Sequence, residues 1–391
     1  MGDSYIEDLH RIFHASDEAK SLFEWIIKAP AAQRERILKR VDELRTKVGL
    51  SYALLALYRQ QVNSGFVLAD PLKTEGKSEK SFFDADSGVT FRLQWNPHRE
   101  LRKNHALLIE RNVIAENIDQ AKLINKDKNG KACYLCKTNI EKQNPGEILL
   151  DIDLAGEEFH VGANFAYITN NHFTVMSAAH RPQQYRSELP EIINDFLEKT
   201  DGYFRVIFNG LAGATIGWHE HLQATTEPFP IEQIRIGDKD VVYKSKDITV
   251  ARPYYYIPVW LIEGRDRKKS RIAVDRIIKA WHELNEATHT ENMVCAKSGE
   301  LYRTFIVLRD RDRLVSKDTG KKGAMAAFET GGNIILSYEP APDINDLNER
   351  HTFDNAGLET VKQLLEEISP DEERCRALSE QISSAAGSLF N

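Results

Sequence analysis

Two amphipathic helices, each set among short alternating strands, restrict more than any other feature what this chain can fold into. In "QYRSELPEIINDFLEKT" the apolar residues recur every three or four positions, and the pattern stops before Asp201-Gly202. Ahead of it stand "EILLDID", "EEFHVGANFAYI" and "HFTVMSAAH"; behind it come "YFRVIFNG" and "WHEHLQATT". The last third repeats the style, with "VARPYYYIPVWLIEG", the helix "SRIAVDRIIKAWHELNEA", the strands "YRTFIVLRD" and "GGNIILSYEP", and a final helix near 356–368. Few of these strands are separated by the dozen residues that a parallel crossover needs. The expectation is therefore an α+β fold of antiparallel sheets with packed helices. The common order of strand, helix, strand and strand hints at a duplicated unit, although no residue-level repeat has a fixed period.

Residues 5–64 have helical periodicity with a break at Pro30, so a helical region over 1–75 is expected to lead into the sheets. Residues 66–85 read as loop, the sheet-bearing part as starting near 88, and the tail "AAGSLFN" as loose. The expected division is 1–75, 88–240 and 241–391.

The chain has 391 residues, 41% apolar and 28% charged, which suits a folded globular protein. Its formal net charge of -7, with both signs interspersed, offers no field to gather nucleic acid. No apolar run approaches the roughly 18 residues of a membrane span, and "MGDSYIEDLH" is acidic where a secretory leader would be basic. A cytoplasmic protein without membrane or nucleic-acid partners is expected. Four cysteines are few for a disulfide scaffold, and two of them form "CYLC".

The chemistry concentrates in "GWHEHLQ", residues 217–223. On a strand, His219, His221 and Gln223 would share one face, with Glu220 and Leu222 on the other. A solvated strand face with incidental histidines would satisfy the same pattern. Just upstream, "GLAGATIG" is rich in small residues that let a ligand approach main-chain N–H groups, or that merely make a tight connection. Cys133 and Cys136 have the short spacing of a zinc pair and need two more ligands, for which His180 and His219 are the candidates. A reduced surface pair or a redox dithiol would show the same two residues. With four protein ligands the zinc would be structural and His221 would be left free of it.

The run Asn209 to Gln223, "NGLAGATIGWHEHLQ", resembles the active-site signature of the galactose-1-phosphate uridylyltransferase and diadenosine tetraphosphate phosphorylase branch of the histidine-triad-like superfamily. "LQWNPHR", "CYLC", "ANFAYITNNHFTVMSAAHRPQ" and "GGNIILSY" resemble further elements of uncharacterised bacterial members, in the same order, over roughly 88–340. The resemblance implies that His221 is a nucleophile toward a nucleotide's α-phosphate, that Gln223 holds phosphoryl oxygens, and that Cys133, Cys136, His180 and His219 bind structural zinc. It implies nucleotide contacts at Asn209, Gly213, Thr215, Asn164, Asn96 and Arg99, with Thr215 nearest the usual serine; Arg309 is a second cationic candidate, and either arginine could equally be a surface ion-pair partner. Trp218 stands where the branch usually has proline, and Glu220 where proline or a basic residue is common.

The resemblance implies a nucleotidyltransferase working through a nucleotidyl-histidine, with a nucleotide or nucleotide sugar and phosphate or a sugar phosphate as partners. A phosphorylase of a dinucleoside polyphosphate or nucleotide sugar is preferred over a hexose-1-phosphate nucleotidylyltransferase. A zinc-stabilised nucleotide-binding adaptor without turnover is the reading from a different class. A homodimer is left open.

Overall fold

The computed structural model describes residues 2–73, 76–127, 129–313, 322, 324–337 and 349–390. Its strands are β1 (Ser78–Phe83), β2 (Thr90–Trp95), β3 (Leu150–Leu154), β4 (Glu157–Ala163), β5 (Phe173–Ser177), β6 (Arg205–Asn209), β7 (His221–Thr225), β8 (Val241–Lys244), β9 (Ile248–Ala251), β10 (Val259–Gly264), β11 (His289–Ser298), β12 (Leu301–Asp310) and β13 (Asn333–Leu336). Ten of them make one antiparallel sheet in the order β3-β4-β5-β7-β6-β11-β12-β10-β9-β8. This order contains the duplication. In each half, three meandering strands are followed by a helix (Leu189–Lys199 or Arg267–Leu284) and a hairpin that inserts beside the third strand. The halves join where β6 pairs with β11, Asn209 opposite Asn292.

One face of this sheet is covered by helices. Phe159, Val175, Phe208 and Leu222 from the first half, and Trp260, Met293 and Ile306 from the second, share a core with Ile193 and Phe196 of the first helix and Ile277 and Trp281 of the second. The N-terminal helices Gly2–Ile12, Asp17–Lys28, Arg34–Val48 and Leu50–Asn63 extend that core. The last of these is buried on every side, as expected of a helix apolar around most of its circumference. It is separate from the helix before it because Gly49, at φ 101°, takes a conformation that L side chains rarely adopt.

The opposite face carries the site. A second sheet of β1, β2 and β13 lies over it, and Phe91, Leu93 and Ile334 form a core with Ile207, Val294, Phe305 and Val307. Here the structure corrects the sequence reading. Residues 78–83, read as loop, are an edge strand paired with β2 from Ser78↔Trp95 to Phe83↔Thr90. "SEKSFF" lacks apolar alternation because much of the strand is exposed, so backbone pairing holds it. The turn before β2 is closed by Asp84, which accepts from both the N–H and the hydroxyl of Ser87. "GGNIILSY" contributes β13, which runs parallel to β2 and stands outside the main sheet. "HTENMVCAKS" forms β11, too polar at its start to read as a strand, yet central once paired on both sides. The tail is also ordered as helix Glu372–Phe390, with the Phe390 ring 5.4 Å from that of Tyr243. No helix among the described residues is long and apolar enough to cross a membrane.

Candidate functional site

The heptad is only partly a strand. Regular pairing begins at His221, opposite Met176 of β5, while His219 lies in the turn before it. That break sends the two histidines to different tasks. Gln223 remains on the same face as His221, as strand alternation requires.

His219 turns toward the cysteines. Its Nδ1 lies 3.2 Å from Cys133 Sγ, 3.5 Å from Cys136 Sγ and 3.3 Å from His180 Nδ1, and His180 Nδ1 lies 3.3 Å from Cys136 Sγ. The four donor atoms all fall within 4.8 Å of one another. A tetrahedral zinc with ordinary Zn–S and Zn–N bonds would have edges of about 3.3–3.8 Å, so the set is close to a closed coordination shell. His219 Nε2–H donates to the Ser177 carbonyl at 2.8 Å, which leaves Nδ1 as a lone-pair donor. The thiols are tied as well: Leu135 N–H approaches Cys133 Sγ at 3.4 Å and Asn125 approaches Cys136 Sγ at 3.1 Å. Burial pushes the Cys133 thiol up to about 11 and His219 down to about 4, so a cation would displace the thiol proton and find the His219 Nδ1 lone pair already free. A second cluster, Asp151, Glu158 and His160, is already engaged, because Asp151 binds Lys137 and His160.

His221 is 7% exposed, and burial lowers its basicity. Its Nδ1–H donates to the carbonyl of His219 at 2.8 Å, which selects the tautomer with a lone pair on Nε2. Among the described residues Nε2 has no hydrogen-bond partner. Gln223 is held in the same way from behind: its Oε1 accepts from His172 Nε2 at 2.8 Å. Asn209, across the β6–β7 gap, has its Oδ1 occupied by the Ala327 N–H at 2.8 Å and Asn292 Nδ2 at 3.1 Å. The amide nitrogens of Gln223 and Asn209 have no partner among the described residues.

The sequence reading missed the residues that brace the main chain here. Gln183, wholly buried, sits where β6 and β7 part: its Oε1 accepts the His221 N–H at 2.7 Å, and its Nε2 donates to the carbonyls of Asn209 (2.7 Å) and His221 (2.9 Å). A side-chain amide thus takes the part of a missing ladder peptide. Glu220 points the other way and binds Arg186 through two contacts of 2.7 and 3.0 Å. Arg186 in turn binds Glu157, which accepts Arg181 at 2.8 Å. The buried carboxylate at 220 is therefore the partner of the half-buried Arg186, which accounts for an acidic residue between the two histidines.

The remaining expected contacts are placed unevenly. Arg99 donates to the Ala166 carbonyl at 3.0 Å, Ala166 N–H is held by Asn164 Oδ1 at 3.1 Å, and Asn164 N–H bonds the His172 carbonyl at 2.9 Å. Arg99 and Asn164 therefore reach the Gln223 side of the site through one loop. Gly213, at φ 97°, packs where an added Cβ would lie 2.6 Å from that of Ala326. Thr215 is exposed, and Asn96 is buried with its Oδ1 unpartnered; among the described residues no hydrogen bond joins either to the group. Arg309, also open to reading as a surface ion-pair residue, is instead fully buried. It donates to Asn292 Oδ1 at 2.6 Å and to the Met325 carbonyl at 3.0 Å, with no carboxylate partner among the described residues. Burial lowers both Arg99 and Arg309 to about 10, and both stay cationic at neutral pH.

Residues 79–226, well under half the chain, match the family described as Domain of unknown function (DUF4922). No curated protein matches. Among solved structures, the yeast Ap4A phosphorylase Apa2 in complex with Ap4A is similar at 12% identity and TM-score 0.47, covering 80% of this chain and 97% of that one. Its AMP complex gives 14% identity and TM-score 0.46 over 80% and 96%. A DUF4931 family protein from Bacillus cereus gives 14% identity and TM-score 0.28 over 40% and 84%.

Proposed function

We propose that this protein is a nucleotidyltransferase acting through a covalent nucleotidyl-histidine at His221, a phosphorylase of a dinucleoside polyphosphate or nucleotide sugar. One observation carries the reading. His221, Gln223 and Asn209 each have one polar end consumed by the protein, and the ends left over are one lone pair and two N–H donor groups. A ligand complementary to a nucleophilic lone pair and several donors is an electrophile surrounded by anionic oxygens, and a phosphoryl group has that character.

In the first half-reaction His221 Nε2 attacks the α-phosphorus, an N–P bond forms, and the P–O bond to the leaving phosphate breaks with its electron pair. The imidazole becomes cationic, and its Nδ1–H stays on the His219 carbonyl. In the second half-reaction an oxygen of inorganic phosphate attacks the same phosphorus and the N–P bond breaks, returning the electron pair to Nε2. Gln223 and Asn209 stabilise the non-bridging oxygens by donation, each such donor worth a few kcal/mol in the transition state. Arg99, through the loop it shares with Asn164, supplies charge near the leaving phosphate, and the loop around Gly213 and Thr215 approaches the nucleotide with main-chain N–H groups. Asn96 is assigned to the nucleotide by resemblance. Zinc suits two thiolates and two imidazoles. Held by Cys133, Cys136, His180 and His219, it would organise the turn that presents the His219 carbonyl, with no part in the chemical steps.

The test is a panel of nucleotides and dinucleotides incubated with and without phosphate, quenched in base and read by intact mass. An alkali-stable, acid-labile nucleotidyl adduct that is lost in His221→Ala and discharged by phosphate is expected. Tight nucleotide binding without an adduct would overturn the enzymatic reading in favour of an adaptor, and discharge by a sugar phosphate alone would replace the phosphorylase by a transferase.

A further inference from the structure

His172 begins the segment "HFTVMSAAH" as an unremarkable buried histidine. It is fully buried, and both ring nitrogens are committed. Nδ1 accepts the N–H of Ile168 at 3.1 Å, so the proton must be on Nε2, which donates to Gln223 Oε1 at 2.8 Å. The ring edge also packs against Phe328, with centroids 5.3 Å apart at 74°. Burial, with the nearby charge of Arg99, drops its basicity to about 3, so the ring is neutral across the physiological range.

A carboxamide is nearly symmetric in shape and opposite in polarity at its two ends, and without a directing partner either end can face a ligand. The backbone of β7 cannot choose between them, because Gln223 sits on the half-buried face of a paired strand and its amide rotates about its last bond. The choice comes from the chain Ile168 N–H to His172 Nδ1, then His172 Nε2–H to Gln223 Oε1. We infer that His172 is a positioning residue that fixes the Gln223 carboxamide with its NH2 toward the His221 side, making the site select an oxygen-rich anion over a hydrogen-bond donor. The inference rests on the phosphoryl placement proposed above for its ligand, but the ring tautomer and amide orientation belong to the unliganded protein.

The experiment therefore has two arms. In the first, the wild-type protein labelled with 15N-histidine is examined by long-range ring correlation between pH 5.5 and 8. His172, assigned by loss of its signals in His172→Phe, is expected in the Nε2–H tautomer and uncharged throughout; an Nδ1–H tautomer or an imidazolium would overturn the inference whatever the protein's substrate. In the second, AMP binding is measured by calorimetry for the wild type, His172→Phe, Gln223→Ala and the double variant. One lost charge-assisted hydrogen bond corresponds to a weakening on the order of tenfold or more. His172→Phe is expected to weaken AMP by about that factor, and Gln223→Ala by at least as much. The double variant should be no weaker than Gln223→Ala alone, because His172 acts only through Gln223. Losses that multiply would overturn the inference. Gln223→Glu guards against misfolding of the phenylalanine variant: its carboxylate accepts from His172 but offers no N–H, so AMP binding should fall while the His172 tautomer stays. A wild type that does not bind AMP at all would count against the proposed function, with the tautomer arm still deciding the role of His172.

Discussion

Replacing Glu220 by glutamine removes one charge from a side chain with no exposed surface, and the structure allows its cost to be worked out. Glu220 accepts two charge-assisted hydrogen bonds from Arg186, at 2.7 and 3.0 Å. Hydrogen bonds to charged groups contribute roughly 1.5–3 kcal/mol, and breaking a buried pair outright costs about 3–5 kcal/mol. The full cost is not reached, because Arg186 keeps both contacts with Glu157 at 2.7 and 3.0 Å and is not left without a counter-charge. Glutamine retains one acceptor but turns an NH2 toward the guanidinium. A loss of about 2–4 kcal/mol follows. Glu188 is the control: it lies 3.6 Å from the same arginine with 64% of its side chain exposed, and Glu188→Gln should change stability by less than about 0.5 kcal/mol. Urea is the denaturant of choice, since guanidinium would screen the pair. With a slope of about 3 kcal/mol/M the Glu220→Gln midpoint should fall by roughly 1 M at unchanged slope. Equal midpoints for Glu220→Gln and Glu188→Gln would refute the assignment of Glu220 as the buried partner of Arg186.

Cys133→Ser should lower bound zinc, measured by elemental analysis, and also the melting temperature, because the binding energy of a closed site is folding energy; a wild type stripped of metal that melts unchanged would refute this. His282 and the buried Glu291 form a pair at 2.6 Å. Burial alone would make His282 less basic, but hydrogen bonding and the Glu291 charge outweigh it and raise it above its ordinary value. A raised folded value means the stability is fully present below about pH 6.5 and is lost as pH rises through that raised value. Glu291→Gln should therefore cost more at pH 6 than at pH 9 in urea titrations, and a cost independent of pH would remove the ion pair from the account.

The distinction between local and through-space partners also separates the features that are legible in the sequence from those that are not. Strands such as "HFTVMS" and the two long helices are legible because alternation and the 3.6-residue period are written in neighbouring residues. The paired cysteines, His219, His221 and Gln223 are legible because their chemistry depends on residue type and short spacing. The edge strand 78–83 is not, since an exposed strand held by backbone bonds has no apolar signature, and neither is the polar beginning of β11.

By itself, then, the sequence determined the α+β class, the long helices with many of the strands, and the candidate side chains. Only the tertiary structure brought Cys133 to within 3.2 Å of His219 across 86 residues, drove Gln183 between two parting strands, and set His172 behind Gln223 and Ala327 behind Asn209. The physical reason is that an imidazole or a carboxamide has two ends of opposite hydrogen-bonding character. Which end faces a ligand is decided by whatever the folded chain places against the other.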